Sequence, residues 1–256
     1  MNKRIYKISN IMLWGLLVVN LIIFLSFTGS EQEHITCTQV NIEIDNQTSG
    51  NYFVDKEAVG HIITNHLHIN SIVGAAVKDL NPYILENVLL GNPFIKKVKV
   101  YKDIAGSLNI QIVQKRPVAR VFTDKLDYYI DEDGGKFTFC TSYTARVPVV
   151  NGYFFESMAY KDSMVTKEGK MVYNYLKAID TSAYFKSMTE EIYINEEGDL
   201  TIVPKIGPNE IIFGDDKDLS DKLNKMYTFY SKVLNTVGYN HYKSINLKFR
   251  NEVVCK

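Results

Sequence analysis

The sequence predicts an α+β protein in three parts: a single N-terminal transmembrane helix, a small β-α-α-β-β domain, and a β-rich domain with helices packed on one sheet. Three observations carry this expectation. An uncharged apolar run stands near the start of the chain. Strand and helix periodicities then follow one another in a short, ordered series. Beyond Pro117, alternating strands separated by glycine turns dominate.

The apolar run is "IMLWGLLVVNLIIFLSF", Ile11 to Phe27, with Asn20 its one strongly polar residue. A hydrocarbon core asks for roughly 17–25 helical residues, so the run is just long enough to span. Lys3, Arg4 and Lys7 precede it and Glu31 and Glu33 follow it. The positive-inside rule then keeps residues 1–10 in the cytoplasm as a tail and sends the bulk of the chain across the membrane. A cleaved signal peptide is the alternative, although "LSFTGS" is a poor cleavage site and no lipid-attachment motif surrounds Cys37. The expected location is therefore the cytoplasmic membrane, single-pass, reached through residues 11–28.

In the small domain, residues 36–115, Val40, Ile42 and Ile44 alternate with polar neighbours as a strand does. Asp55 stands at the N-cap of a helix whose Ala58, Val59, Ile62 and Ile63 share a face. Asn81 caps a second helix, Pro82 takes its first position and Gly91 stops it. A hairpin follows, with Val98 and Val100 on one face and Leu108, Ile110 and Ile112 on the matching one. The order β-α-α-β-β gives one sheet face covered by two helices.

Pro117 cannot donate to a ladder, so the domain boundary belongs near it and the second domain runs over 117–256. "DYYIDEDGGKFTF" and "EIYINEEGDLTIVP" read as hairpins around Gly134–Gly135 and Gly198, and "NEIIFG" as a further strand. Two helices interrupt. One places Val172, Tyr175, Leu176 and Ile179 on one face; the other does so with Leu219, Leu223, Met226, Tyr230, Val233 and Leu234, with Asp218 or Ser220 able to cap it.

Chemistry is hard to assemble. With 29 basic and 29 acidic residues the net charge is zero, which gives no support for nucleic-acid binding. His61, His66 and His68 lack the spacing of a metal pair, so no metal or other cofactor is expected. "DEDGG" suits a turn better than a calcium loop, and "GDDKD" suits acidic residues at a helix start better than paired catalytic carboxylates. No nucleophile or phosphate-loop motif occurs, so the protein is not expected to be an enzyme. Cys37, Cys140 and Cys255 are too few and too scattered for a disulfide framework and read as small packing residues, with one disulfide left open.

"NPFIKKVKVYKDIAGSLNIQIVQKRPVARVF" resembles the FtsQ/DivIB division-protein family across the end of its POTRA domain and the entry to its β domain. "YIDEDGGKF", "VPVVNG" and the closing "INLKFRNEVVCK" continue the likeness in order, although "DIAG" replaces the family's aromatic-proline pair and "NLKF" softens its terminal motif. The resemblance implies a non-enzymatic component of the bacterial divisome. It would link early division proteins to the septal peptidoglycan synthesis complex by binding FtsB/DivIC-like and FtsL-like small membrane proteins. The alternative is another POTRA-bearing envelope docking or chaperone-like protein of outer-membrane assembly or secretion.

The terminal segment from Ile245 to Lys256 alternates apolar and polar residues as one open strand, ready to receive a partner by strand addition. By the resemblance, Lys248, Phe249, Arg250, Asn251, Val253 and Val254 bind the partner there. Lys97, Val100 and Lys102 match a recruitment strand in the POTRA domain. The alternation alone equally suits core-facing positions for Ile245, Leu247 and Phe249.

Overall fold

The computed structural model describes residues 12–23, 35–45, 53–123, 126–141 and 143–256. Its contacts divide the chain into two units: Met1–Asp45 with Val54–Gln114, and Asn46–Phe53 with Lys115–Lys256.

The expected transmembrane helix requires correction. The helix described in that run (α1) covers only residues 12–23, and among the described residues no helix is long and apolar enough to cross a membrane. At 1.5 Å per residue, twelve residues reach about 18 Å, short of a core about 30 Å thick. The expected cytoplasmic tail and the remainder of the expected span fall on residues 1–11 and 24–28, outside the described residues.

The first unit carries β1 (Val40–Asp45), α2 (Lys56–Leu67), α3 (Pro82–Leu90), β2 (Ile95–Lys102) and β3 (Leu108–Gln114). β3 lies between β1, to which it is parallel, and β2, to which it is antiparallel. Local chemistry sets the helix ends as the sequence indicates. The Asp55 carboxylate accepts from the Ala58 amide at 2.7 Å, and Asn81 Oδ1 accepts from Tyr83 and Ile84. Val59, Ile63, Leu85 and Leu89 of the helices are buried, as are Leu108, Ile110 and Ile112 of the central strand. Period 2 meeting period 3.6 is what closes this small core. The opposite sheet face is polar, with Asn41 bonded to Asn109 and Gln111 to Glu43 across strands.

The second unit is one nine-stranded sheet. Its strands are β4 (Pro117–Val121), β5 (Tyr128–Asp131), β6 (Lys136–Thr138), β7 (Val149–Gly152), β8 (Thr189–Ile194), β9 (Leu200–Pro204), β10 (Glu210–Gly214), β11 (Ser244–Asn246) and β12 (Val254–Cys255). The order across the sheet is β12-β11-β10-β9-β8-β7-β4-β5-β6, with parallel pairs at β4–β7, β7–β8 and β10–β11. α4 (Lys167–Asp180), α5 (Ala183–Met188) and α6 (Leu219–Thr228) contribute to its core, and α6 runs on through a π-helical turn, Phe229–Leu234, into α7 (Asn235–Val237). Val172, Tyr175, Leu176 and Ile179 are buried in one core with Ile192, Ile194, Ile202 and Phe213.

Two readings of acidic clusters resolve differently. "DEDGG" is a turn: Asp131 Oδ1 accepts the Asp133 and Gly135 amides, and Gly134 holds φ +84°. In "GDDKD", Asp218 occupies the cap position of α6 but makes no side-chain cap bond. Its neighbour Asp215 instead accepts from the buried Lys222 ammonium at 2.8 Å, so an ion pair and not a cap fixes this helix start.

An ion cluster behind Pro117 sets an acid limit on the second unit. Arg116 donates from Nε to Glu132 at 2.6 Å and in a two-pronged manner to Asp180 at 3.0 and 2.6 Å, while Lys186 adds 2.8 Å to Asp180. The Arg116 hydrogen bonds, opposed by partial burial, hold the Asp180 carboxyl down to about 2. Because the folded value lies below the unfolded one of about 3.9, the contribution is full above pH 4 and is lost as pH falls toward 2. It is worth about 2 kcal/mol. Arg116→Met should therefore be less stable than the parent at pH 7, and should lose less of its remaining stability between pH 4 and 2, measured by urea unfolding.

Candidate functional site

The terminal segment is not one continuous open strand. The Asn246 side chain accepts the Lys248 amide at 3.0 Å, a local turn that breaks strand geometry just after β11. Residues 247–253 form a loop, and the chain returns antiparallel as β12, pairing Ile245 with Cys255 and Asn246 with Val254. β11 is thus satisfied on both flanks, by β10 on one side and β12 on the other. The accessible rim moves to β12, the edge strand of the sheet.

The hydrogen-bond phase fixes which groups face outward. Ser244 and Lys256 exchange both amide–carbonyl bonds, at 3.2 and 3.1 Å. Cys255, next in line and opposite Ile245, therefore occupies a non-hydrogen-bonded position, and its N–H and C=O point away from β11. Its thiol lies on the core side with Val253, and burial pushes that thiol's pKa up. Val254 turns its side chain to solvent.

The alternation expected along the segment separates at the turn. Ile245 and Leu247 are 1% and 0% exposed, whereas Phe249 is 47% exposed. Arg250 and Asn251 are exposed beside it. Lys248 is already engaged: its ammonium pairs with the Asp199 carboxylate, and its stem lies over Gly214, where an added Cβ would come within 2.8 Å of Lys248 Cγ. Sequence reading missed Lys225, which donates from α6 to the carbonyls of Leu247, Phe249 and Arg250 at 3.2, 2.6 and 3.5 Å. A lysine on a helix carries no mark of a loop folded far along the chain, so nothing in the sequence pointed to it.

The three residues singled out on β2 do not share a face. Val100 and Lys102 turn toward the helices and Lys97 turns the other way, into a groove of about 350 Å³ with Glu43, Lys99 and Gln111. β2 is an edge strand, yet part of that edge is covered. The Val100 amide donates to Glu86 of α3 at 2.8 Å, and Lys102 Nζ donates to the Val77 carbonyl at 2.9 Å. Among the described residues, no group of three or more His, Cys, Asp or Glu is placed to hold a metal ion.

A three-stranded unit with two helices, followed by a broad mixed sheet with its terminal strand at one edge, defines a two-unit protein of the POTRA-plus-β-domain class. The POTRA-like domain family matches residues 35–113, and the family described as FtsQ/DivIB, C-terminal related, matches residues 116–256. The chain belongs to the FtsQ/DivIB family, and this membership supports a role in cell division. No curated protein matches it.

Proposed function

We propose that this chain is a non-enzymatic scaffold of the bacterial division machinery that captures FtsB/DivIC-like and FtsL-like small membrane proteins by strand addition at β12. It would thereby link early division proteins to septal peptidoglycan synthesis, acting at the division septum. The observation that carries this reading is the outward-facing backbone of Cys255 on an edge strand, reached through a loop that exposes Phe249. An added strand gains main-chain hydrogen bonds from such an edge, and an exposed aromatic ring in the adjoining loop would supply an anchor. Arg250, Asn251, Val253 and Val254 extend the contact, while Lys248 acts through its bond to Asp199 in holding the loop. In the first unit, β2 with Lys97, Val100 and Lys102 is the proposed recruitment strand, contacted on its backbone and on the Lys97 face.

A proline at 255 tests the edge. Proline is tolerated on an edge strand when its missing N–H faces solvent. Cys255→Pro removes the one donor aimed outward and leaves the Ser244–Lys256 exchange in place. We expect affinity for an FtsB/DivIC-like partner to fall at least about tenfold, the equivalent of one hydrogen bond of about 1.4 kcal/mol, with the melting temperature nearly unchanged. Phe249→Ala should weaken binding as well. Unaltered affinity in both variants would refute docking at this edge.

A further inference from the structure

On the second unit's sheet face opposite the helices, a groove of about 650 Å³ lies where β4, β7 and β8 end together, away from β12 in strand order. Four rings line it, Phe122, Tyr153, Phe155 and Tyr193, all exposed, with Asp127 and Asn151 between them. Period-2 alternation explains the placement. Ile192 and Ile194 turn into the core, so Glu191 and Tyr193 turn out; likewise Val150 turns in and Asn151 out.

The polar groups of this groove are chiefly acceptors. Asn151 spends its amide N–H on Glu191 at 2.9 Å, and its Oδ1 is buried without a partner among the described residues. The Tyr153 hydroxyl donates to Glu196 at 2.5 Å, which turns its lone pairs outward. Asp127 contributes a carboxylate, and no lysine or arginine is among the described lining residues. Among the described residues, Asp127 lines the groove, Glu191 and Glu196 bond to its lining residues Asn151 and Tyr153, and the cation Arg120 stacks on its Phe122 ring. That guanidinium is itself held between rings, 4.3 Å from the centre of Phe122 and 4.1 Å from that of Phe139. The rings here thus already stack on a guanidinium, and the charge left over is negative.

We infer that this groove binds an arginine side chain presented by an extended segment of a partner protein. A planar guanidinium suits each requirement at once. It stacks on aromatic faces and pairs with a carboxylate in two-pronged fashion. Charge complementarity selects a basic peptide over an acidic one. The inference is independent of strand addition at β12, because no residue is shared between the two surfaces.

The test is nuclear magnetic resonance on the isotopically labelled full chain, titrated with a blocked Gly-Arg-Gly peptide, its citrulline and glutamate counterparts, and chitotetraose. The arginine peptide should shift the Phe122, Asn151, Tyr153 and Tyr193 amides saturably, and citrulline should weaken binding at least fivefold. Asp127→Lys should lose the arginine peptide and acquire the glutamate peptide, a gain that misfolding cannot produce. Equal binding of the citrulline peptide, saturable binding of chitotetraose at these residues, or no gain of the glutamate peptide by Asp127→Lys would overturn the assignment.

Discussion

Lys136→Met should destabilise the second unit by about 3–5 kcal/mol, the cost of leaving a buried charge without its partner. Lys136 and Glu156 are both fully removed from solvent and 3.0 Å apart. Lys136 Nζ also donates to the Ser163 carbonyl at 2.8 Å. The second Glu156 oxygen accepts from the Val165 amide and from the Thr166 amide and hydroxyl, at 3.0, 2.7 and 2.7 Å. Burial alone would raise the Glu156 pKa, but the Thr166 and Lys136 hydrogen bonds outweigh it and hold the carboxyl below its ordinary value. Removing the lysine leaves that anion buried without its counter-charge. Lys136→Met combined with Glu156→Gln removes both charges and keeps an acceptor for the three donors, so it should recover a substantial part of the loss. Urea unfolding of the two variants decides the matter: equal destabilisation would mean that the lysine acts by packing and not by charge.

Gly152→Ala should cost at least about 3 kcal/mol, through backbone that cannot yield. Gly152 sits at φ +87°, a region costing an L-residue about 1–2 kcal/mol. Its missing Cβ would lie 2.3 Å from the Ile194 carbonyl oxygen and 2.8 Å from Tyr193 Cε2. That carbonyl is also the acceptor for the Tyr153 amide at 2.8 Å, so it cannot retreat without losing a bond. The strain falls where β7 ends and the aromatic groove begins. A thermal melt should show the drop, and the Tyr153 and Tyr193 amide resonances should shift with it.

Local chemistry was legible from residue types, and pairing was not. The Asp55 and Asn81 caps and the Asp131 turn could be read directly, because each depends on a side chain reaching backbone within four residues. The helix stripes around Tyr175 and Met226 were legible for the same reason. Strand order was not: the hairpin around Gly198 could be read as strands, but nothing in its alternation says that β8 lies parallel to β7 or β7 to β4. The burial of Lys136 could not be read, because its partner stands twenty positions away, in a loop. Leu247 and Phe249 have the same parity and opposite fates, since one Asn246 side chain ends the strand between them. The apolar run near the start gave the length of a span, and among the described residues no helix is long and apolar enough to cross a membrane.

Lys225 has a kinetic consequence. By gripping the carbonyls of Leu247, Phe249 and Arg250 from α6, it holds the bend leading into β12 in place. If β12 is the docking edge proposed above, an edge held ready in this way would spend little entropy on capture. Partners would then meet it at similar speeds, and how long each one stays would set their ranking.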